Sequence, residues 1–334
     1  MAGEKANRIR LTEKDYQGAP STMCKGCGHD AISASITRAF FESGIDPRKV
    51  VKLSGIGCSS KTPAYFLSPS FGFNAVHGRM SAVATGANLG NHTLISIGVS
   101  GDGDTSAIGL GNFCHMMRRN VNITYVIENN GVYGLTKGQF SATADKGTVM
   151  KGGKVNDMPA IDLAELAITM GATYVARSFS GDRKQLAPLI QGAAAHKGCA
   201  ILDIISPCVT FNNHEGSTKS LKYAKEHLDP IHDVDFIPYF ENIEVDYEEG
   251  TDTQVELHDG SHIILHKLRR DYDPRDQMQA LQALHSAIAE GKFLTGLIYY
   301  DPTRPEFTAE INLPENPLSQ LGQDVLQPPA ELLD

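Results

Sequence analysis

The chain has 334 residues, of which 41% are hydrophobic and 21% are charged, and a chain of this length and composition can bury a large globular core. Its formal net charge of -9 argues against nucleic acid as a partner, because phosphate binding depends on a concentrated basic surface. No apolar run approaches the ~20 residues that a membrane span needs, and the N-terminus has no apolar secretion segment. We therefore expect a soluble, cytoplasmic protein that binds neither nucleic acid nor membrane.

Between residues 29 and 210 the hydrophobic pattern alternates between helix and strand periods. This alternation predicts an α/β fold with a mostly parallel sheet and helices on both faces. The predicted elements are, in chain order, helix 29–43, strand 50–54, strand 93–99, helix 106–119, strand 121–127, helix 161–170, strand 173–176, helix 182–196 and strand 199–205. We expect the sheet to end with the last of these strands. The long polar segment 128–160 is expected to cover a ligand.

The composition of the sequence changes after about residue 225, where it becomes acidic and typical of loops. This part predicts a hairpin at 256–265 with Asp259-Gly260 at its turn, one helix at 276–291 and a Pro-rich tail. We therefore divide the chain into a principal domain, 1–225, and a C-terminal extension, 226–334. We predict no catalytic role for the extension.

Two polar loops follow consecutive predicted strands, namely GDGD at 101–104 and an Asn-Asn pair at 129–130. Since consecutive parallel strands end at the same edge of a sheet, we expect these loops to meet where such folds bind ligands. The carboxylate of Asp102, the side-chain oxygen of Asn130 and the carbonyl of Val132 would supply hard oxygen ligands for Mg²⁺. GDG by itself could be a simple turn, but with the Asn-Asn pair the pattern resembles the thiamine-diphosphate signature.

Six cysteines in a chain of this size and compartment are unsuited to a disulfide framework, so close pairs suggest metal or redox sites. Cys24 and Cys27 form a C-x-x-C pair that suits a zinc knuckle, a thioredoxin-like site or half of an iron-sulfur site. Cys58 and Cys208 each follow a predicted strand on the same edge as GDGD. Four thiolates could therefore gather beside the diphosphate site, as ligands of a 4Fe-4S cluster or of Zn²⁺.

The remaining cysteines and two histidines have different contexts. Cys114 lies inside a helical pattern and Cys199 begins a buried strand, so both are expected to be small core residues. His29 is expected to cap its helix or to form a hydrogen bond with the loop that carries the cysteine ligands. His77 is expected to contact cofactor or substrate.

Taken together, the motifs resemble the β subunit of 2-oxoacid:ferredoxin oxidoreductases, in particular the 2-oxoglutarate type. The matching segments are CKGCGH at 24–29, GIGCSSK at 55–61, HGR at 77–79, GDGD at 101–104, ENNGVYGLTKGQ at 128–139 and SPC at 206–208. They span about residues 20–225, and their order and spacing are more specific than any single motif. The resemblance implies a thiamine-diphosphate-binding fold.

The resemblance also implies three cofactors, which are thiamine diphosphate, Mg²⁺ and one 4Fe-4S cluster. The cluster would be held by Cys24, Cys27, Cys58 and Cys208, and the magnesium by Asp102, Asn130 and the Val132 carbonyl. Diphosphate contacts would come from Gly103, Asp104, Gly134 and Leu135, whereas Ile56, Gly57, Ser59 and His77 would lie near the cofactor rings or substrate. In that family the lysine three places after the third cluster cysteine, here Lys61, meets the 2-oxoacid carboxylate.

The activity implied by the resemblance is a coenzyme A-dependent oxidative decarboxylation of a 2-oxoacid, with 2-oxoglutarate favoured and ferredoxin as electron acceptor. An α subunit is implied as partner, in a heterodimer or a dimer of heterodimers, because no glutamate of this chain is in a context to activate the aminopyrimidine ring. Pyruvate or a broad range of 2-oxoacids is the alternative substrate. A cluster-free thiamine-dependent decarboxylase and a zinc-stabilised interaction protein are the alternative functions.

Overall fold

The fold is built around one large sheet, and the computed structural model describes residues 6–149, 153–210, 242–257, 262–327 and 331. Its helices are α1 (Gly28–Ser43), α2 (Met80–Gly90), α3 (Leu110–Arg118), α4 (Leu163–Thr169), α5 (Arg183–Ala195), α6 (Gln277–Ala289), α7 (Phe307–Glu310) and α8 (Gln323–Leu326). The strands are β1 (Val50–Ser54), β2 (Phe71–Asn74), β3 (Ile95–Gly101), β4 (Ile123–Asn129), β5 (Val132–Tyr133), β6 (Gln139–Phe140), β7 (Tyr174–Phe179), β8 (Cys199–Ile205), β9 (Asp252–Glu256), β10 (His262–Lys267) and β11 (Phe293–Tyr300).

Nine of these strands form the sheet, in the order β2-β1-β3-β4-β8-β7-β11-β10-β9, while β5 and β6 pair separately. Neighbouring strands from β2 to β7 run parallel, which confirms the predicted mostly parallel sheet. Because helices cover both faces, a central strand such as β8 is buried along its whole length and reads as a continuous apolar run.

The prediction that the sheet ends at residue 205 is wrong. Strand β11 pairs antiparallel with β7, and β10 and β9 extend the sheet further. An uncovered β7 would present a row of unpaired backbone groups at the edge, and β11 satisfies them. The predicted hairpin is confirmed as β9 and β10 and the predicted late helix as α6, but the predicted turn at Asp259-Gly260 lies outside the described residues.

Two further elements, β2 and α2, were not predicted as the structure has them. All four residues of β2 are exposed at the sheet edge, and four residues are too few for a strand period to be told from chance. Helix α2 carries two glycines together with Ser, Thr and Asn, residue types with low intrinsic helix propensity. Tertiary contacts therefore decide both elements.

Two cores lie on opposite faces of the sheet. One is formed by α1 and α5 and includes Ile32, Ile36, Phe40, Leu186 and Ile190. The other lies under α2, α3, α4 and α6 and includes Met80, Phe113, Met117, Leu163 and Leu284. Cys199 is buried in the second core and Cys114 packs at its margin, which confirms the prediction for both. Among the described helices, none is long and apolar enough to cross a membrane.

Strand order reverses beside β1, because the chain passes from β1 outward to β2 and then returns to β3 on the other side. In parallel α/β sheets such a reversal leaves a crevice at the carboxyl ends of the strands, where ligands bind. The loops that follow β1, β2, β3, β4 and β8 contain the predicted site residues apart from Cys24 and Cys27, which directly precede α1. The topology therefore brings these loops to one edge of the sheet.

Candidate active site

Two of the predicted magnesium ligands, Asp102 and Asn130, lie together where β3 and β4 end. The carboxylate of Asp102 is 1% exposed, and its Oδ1 lies 3.3 Å from the backbone nitrogen of Asn130. The side-chain oxygen of Asn130 accepts a hydrogen bond of 3.0 Å from the backbone N–H of Val132. One carboxylate, one amide oxygen and one backbone carbonyl are hard oxygen donors of the kind that Mg²⁺ selects. The types of donor present therefore fit this ion.

Gly103 lies under the ring of Tyr133. The Tyr133 hydroxyl donates a 2.8 Å hydrogen bond to the carbonyl of Gly103, and a Cβ at position 103 would come within 2.5 Å of that ring. Burial, with the nearby carboxylates of Asp102 and Asp104, raises the pKa of Tyr133 to about 12. The phenol therefore remains a donor at neutral pH, and only glycine fits beneath it.

Asp104 joins two loops and the end of a strand through its side chain. Its carboxylate accepts hydrogen bonds from the backbone N–H of Gly78 at 2.7 Å and of Ile56 at 3.3 Å, and from the hydroxyl of Ser100 at 3.0 Å. These bonds join the loop after β1, the loop before α2 and the end of β3. Any contact of Asp104 with a diphosphate would therefore come from its backbone.

The residues predicted near the cofactor rings belong to two of these joined loops. Ile56, Gly57 and Ser59 follow β1, and the Ser59 hydroxyl donates to the carbonyl of Ile56 at 3.0 Å. His77 is exposed and directly precedes Gly78. At Gly78 the φ angle is +67°, and a Cβ would lie 2.7 Å from the backbone that leads into α3, so the turn beside His77 requires glycine.

The four loop cysteines lie on three segments that approach one another. Cys24 and Cys27 form a turn in which the Cys27 N–H donates to the Cys24 carbonyl at 3.0 Å, and α1 follows. Cys58 opens the short 3₁₀ helix Cys58–Ala64 after β1, and Cys208 follows β8. A Cβ added at Gly134 would lie 3.5 Å from Sγ of Cys58 and 3.7 Å from Sγ of Cys208. Two of the thiols therefore meet beside a predicted diphosphate contact.

The thiols influence one another's ionisation. Burial raises the pKa of Cys27 well above its usual range, and burial and the Cys208 thiol raise the pKa of Cys58 to about 11. A bound cation would relieve both effects, since metal ligation deprotonates thiols. Within the described residues, no three side chains of His, Cys, Asp or Glu are arranged to hold a metal ion. The donor types fit a thiolate-bound group, whereas the described side chains are not placed as a complete ligand set, and the cluster remains a prediction.

His29 links the cysteine turn to the segment that carries Cys208. Its Nδ1 lies 2.7 Å from the hydroxyl of Ser206, and its Nε2 lies 3.6 Å from the carboxyl of Glu128. Burial lowers the pKa of His29 to about 4, so the ring is neutral. Of the two predicted roles, His29 therefore bonds to a neighbouring loop rather than capping α1.

Lys52 is a site residue that the sequence analysis missed. It lies in β1 with 7% exposure, and its ammonium donates hydrogen bonds of 2.8 Å to the carbonyls of Pro63 and Phe66. These bonds hold the end of the segment that carries Cys58 and Lys61. Burial lowers the pKa of Lys52 to about 8. A lysine inside an otherwise apolar strand was the available signal.

A cavity of about 290 Å³ lies beside the Asp102 site, between the loop after β4 and the C-terminal extension. Its walls include Asn129, Thr143, Asp162, Arg177, Asp203 and Phe293. Arg177 is buried and forms 2.8 Å ion pairs with both Asp162 and Asp203. The extension thus supplies part of the wall next to the site, a placement that the sequence analysis did not predict.

Comparison with known proteins finds the same cofactor class. The profile of the thiamine pyrophosphate enzyme C-terminal TPP binding domain matches residues 55–204, a range that contains β3, β4 and the loops that follow β1, β3 and β4. The chain therefore contains a thiamine-pyrophosphate-binding domain. It matches the β subunit of 2-oxoacid:ferredoxin oxidoreductase from Saccharolobus solfataricus at 44% identity over 191 residues, which are 57% of this chain and 63% of that protein.

Other relatives are covered more completely. The 2-oxoglutarate synthase subunit KorB from Methanocaldococcus jannaschii is 35% identical over 225 residues, which are 64% of this chain and 82% of that protein. Among solved structures, 2-oxoglutarate:ferredoxin oxidoreductase from Magnetococcus marinus, with 2-oxoglutarate, coenzyme A and succinyl-CoA bound, has a TM-score of 0.71 and 33% identity. The match covers 90% of this chain and 89% of that one. The chain spans less than two thirds of the Saccharolobus protein's length.

Proposed function

Because the chain belongs to the family of 2-oxoacid:ferredoxin oxidoreductase β subunits, we propose that it forms such an enzyme together with an α subunit. The complex would convert a 2-oxoacid, coenzyme A and two oxidised ferredoxins into the acyl-coenzyme A, CO₂, two protons and two reduced ferredoxins. The observation that carries this proposal is the meeting of the Asp102 loop and the cysteine loops at one sheet edge, with Gly134 beside two thiols.

In this proposal Asp102, Asn130 and the Val132 carbonyl bind Mg²⁺, which neutralises the diphosphate. When bound, thiamine diphosphate supplies the carbon nucleophile and the electron sink for loss of CO₂. The backbone around Gly103, Asp104, Gly134 and Leu135 contacts the diphosphate. The carboxylate of Asp104 keeps the surrounding loops in place through the bonds to Gly78, Ile56 and Ser100.

We propose that the four loop cysteines hold the group that transfers electrons. Cys24, Cys27, Cys58 and Cys208 would hold one 4Fe-4S cluster, which accepts electrons singly and passes them to ferredoxin. The hydrogen bond between His29 and Ser206 keeps the first cysteine turn next to the last cysteine segment. The contacts of Lys52 with Pro63 and Phe66 hold the segment that carries Cys58.

The proposed substrate is 2-oxoglutarate, converted to succinyl-CoA. Support comes from the relatives named for 2-oxoglutarate and from the 2-oxoglutarate and succinyl-CoA bound in the Magnetococcus enzyme. We further propose that the α subunit supplies the carboxylate that activates the aminopyrimidine, that the enzyme acts in the cytoplasm, and that residues 1–225 and 226–334 form the principal domain and its extension.

The test uses the complex of this chain with its α subunit. Coenzyme A-dependent reduction of a viologen dye or of ferredoxin is measured with 2-oxoglutarate, pyruvate and a branched 2-oxoacid. We expect 2-oxoglutarate to give the highest kcat/KM and the isolated chain to be inactive. Equal values for all three acids would contradict the substrate proposal, and turnover by the isolated chain would contradict the role of the partner.

Lys61 is proposed to bind the substrate carboxylate. It is half-buried in the 3₁₀ helix that begins at Cys58, and an ammonium suits a carboxylate as a point charge. We expect Lys61→Met to raise KM for 2-oxoglutarate by about 10- to 100-fold, the loss typical of a charge-assisted hydrogen bond, with a much smaller change in kcat. The control is Lys49→Met, at the opposite edge of the sheet. An unchanged KM in Lys61→Met would remove this role.

A further inference from the structure

The two carboxylate oxygens of Asp102 have different surroundings. Oδ2 accepts hydrogen bonds from the hydroxyls of Ser141 and Thr143, the latter at 2.6 Å. Oδ1 faces the backbone N–H of Asn130 at 3.3 Å. Each hydroxyl carries a single proton, and the charged oxygen is the nearer acceptor for that of Thr143. Among the residues that the structure describes, one oxygen therefore has two strong donors, while the other has one long contact on the side of the predicted metal ligands.

The segment that carries the two hydroxyls is held by contacts besides those with Asp102. The backbone N–H of Thr143 donates to the Ser141 hydroxyl at 3.2 Å. The backbone N–H of Ser141 donates to the carbonyl of Gly131 at 3.1 Å. The segment 141–143 is thus folded back onto the loop that follows β4, independently of any group bound at Asp102.

A buried ion pair lies on the other side of Thr143, behind Asn129. The hydroxyl of Thr143 lies 3.1 Å from the side-chain oxygen of Asn129, and the amide nitrogen of Asn129 donates to Asp203 at 2.9 Å. Asp203 is paired with Arg177 at 2.8 Å, and both are almost completely buried. Because the Thr143 proton goes to Asp102 and the Asn129 oxygen carries none, Thr143 packs against Asn129 without a hydrogen bond, and Asn129 is the residue that is bonded to the centre of the sheet.

We propose that Ser141 and Thr143 are positioning residues that hold the Asp102 carboxylate by Oδ2 and leave Oδ1 directed at magnesium. This inference rests on the proposed function. A carboxylate fixed at one oxygen loses less conformational freedom when the other binds a metal. Residues that hydrogen-bond to a metal ligand without touching the metal typically contribute about 10- to 100-fold to the affinity of the site for the metal. Loss of either hydroxyl should weaken magnesium binding without removing a ligand.

The experiment measures magnesium dependence of cofactor retention in the complex with the α subunit. Cofactor-free complex is incubated with thiamine diphosphate over a range of Mg²⁺ concentrations, desalted into the same Mg²⁺, and assayed for bound thiamine diphosphate. We expect Thr143→Val and Ser141→Ala to raise the half-saturating Mg²⁺ concentration by about 10- to 100-fold, and Thr143→Ser to restore the wild-type value. The unfolding temperature is recorded for each variant.

Thr148→Val is the matched control. Thr148 is buried in the same loop with 1% exposure, and its hydroxyl has no hydrogen-bond partner among the described residues. It should keep the wild-type magnesium dependence. Wild-type dependence in Ser141→Ala and in folded Thr143→Val would overturn the inference, and Ser141→Ala alone decides if Thr143→Val does not fold. A wild-type complex that binds no thiamine diphosphate at any Mg²⁺ concentration would instead contradict the proposed function.

Discussion

Substitution of Asp102 by Asn is expected to abolish thiamine diphosphate retention at millimolar Mg²⁺ and, with it, coenzyme A-dependent dye reduction. Asp102 is the only charged member of the proposed magnesium ligands, so its amide analogue keeps the shape and loses the charge that binds a hard dication. The affinity for magnesium should fall by more than the ~10- to 100-fold expected when a residue that contacts only a metal ligand is replaced. Bound thiamine diphosphate, measured after desalting across a Mg²⁺ titration, checks the prediction.

The matched control for this variant is Asp157→Asn. Asp157 is exposed in the segment after β6, so the same loss of charge there should leave cofactor retention unchanged. Removal of Mg²⁺ from the wild-type complex with a chelator should reproduce the Asp102→Asn result, and added Mg²⁺ should reverse it in the wild type only. Full cofactor retention by Asp102→Asn at wild-type Mg²⁺ would show that this carboxylate is not a metal ligand.

Substitution of Cys208 by Ser is expected to lower the iron content from about four atoms per chain to less than one and to remove the broad absorption near ~400 nm. Hydroxyl oxygen is a poor replacement for a thiolate at an iron-sulfur centre. Electron delivery to ferredoxin should be lost, whereas thiamine diphosphate retention should persist because Asp102 and Asn130 are unchanged. Iron, acid-labile sulfide and bound cofactor are measured on the same anaerobic preparation of the complex.

The control is Cys114→Ser, which makes the same change at a cysteine packed at the margin of the core and should keep the cluster. The two variants form a reciprocal pair, since Asp102→Asn should keep iron and lose the cofactor. Zinc in place of iron in the wild type would favour a thiolate zinc site. Absence of any metal, together with bound thiamine diphosphate, would favour a cluster-free enzyme.

The central part of the fold was predictable because its signals are local. Strands β1 and β8 have the predicted bounds, since each is a short β-branched or apolar run closed by Gly or Pro. The rule that parallel strands end at one edge was enough to bring Asp102 next to Asn130. The same rule placed Cys58 and Cys208 on that edge, and a Cβ at Gly134 would contact both thiols.

The sequence by itself determined the parallel α/β core, the edge at which the site lies and the motif residues, because period and motif spacing depend on neighbouring residues. Only the tertiary structure decided the pairing of β11 with β7, the link between His29 and Ser206, and the contacts of Ser141 and Thr143 with Asp102. These contacts join residues 39 to 177 positions apart. Such pairings use backbone groups and hydroxyls that occur throughout any chain. Neither the sequence period nor the composition therefore indicates which of these groups will pair with one another in the fold.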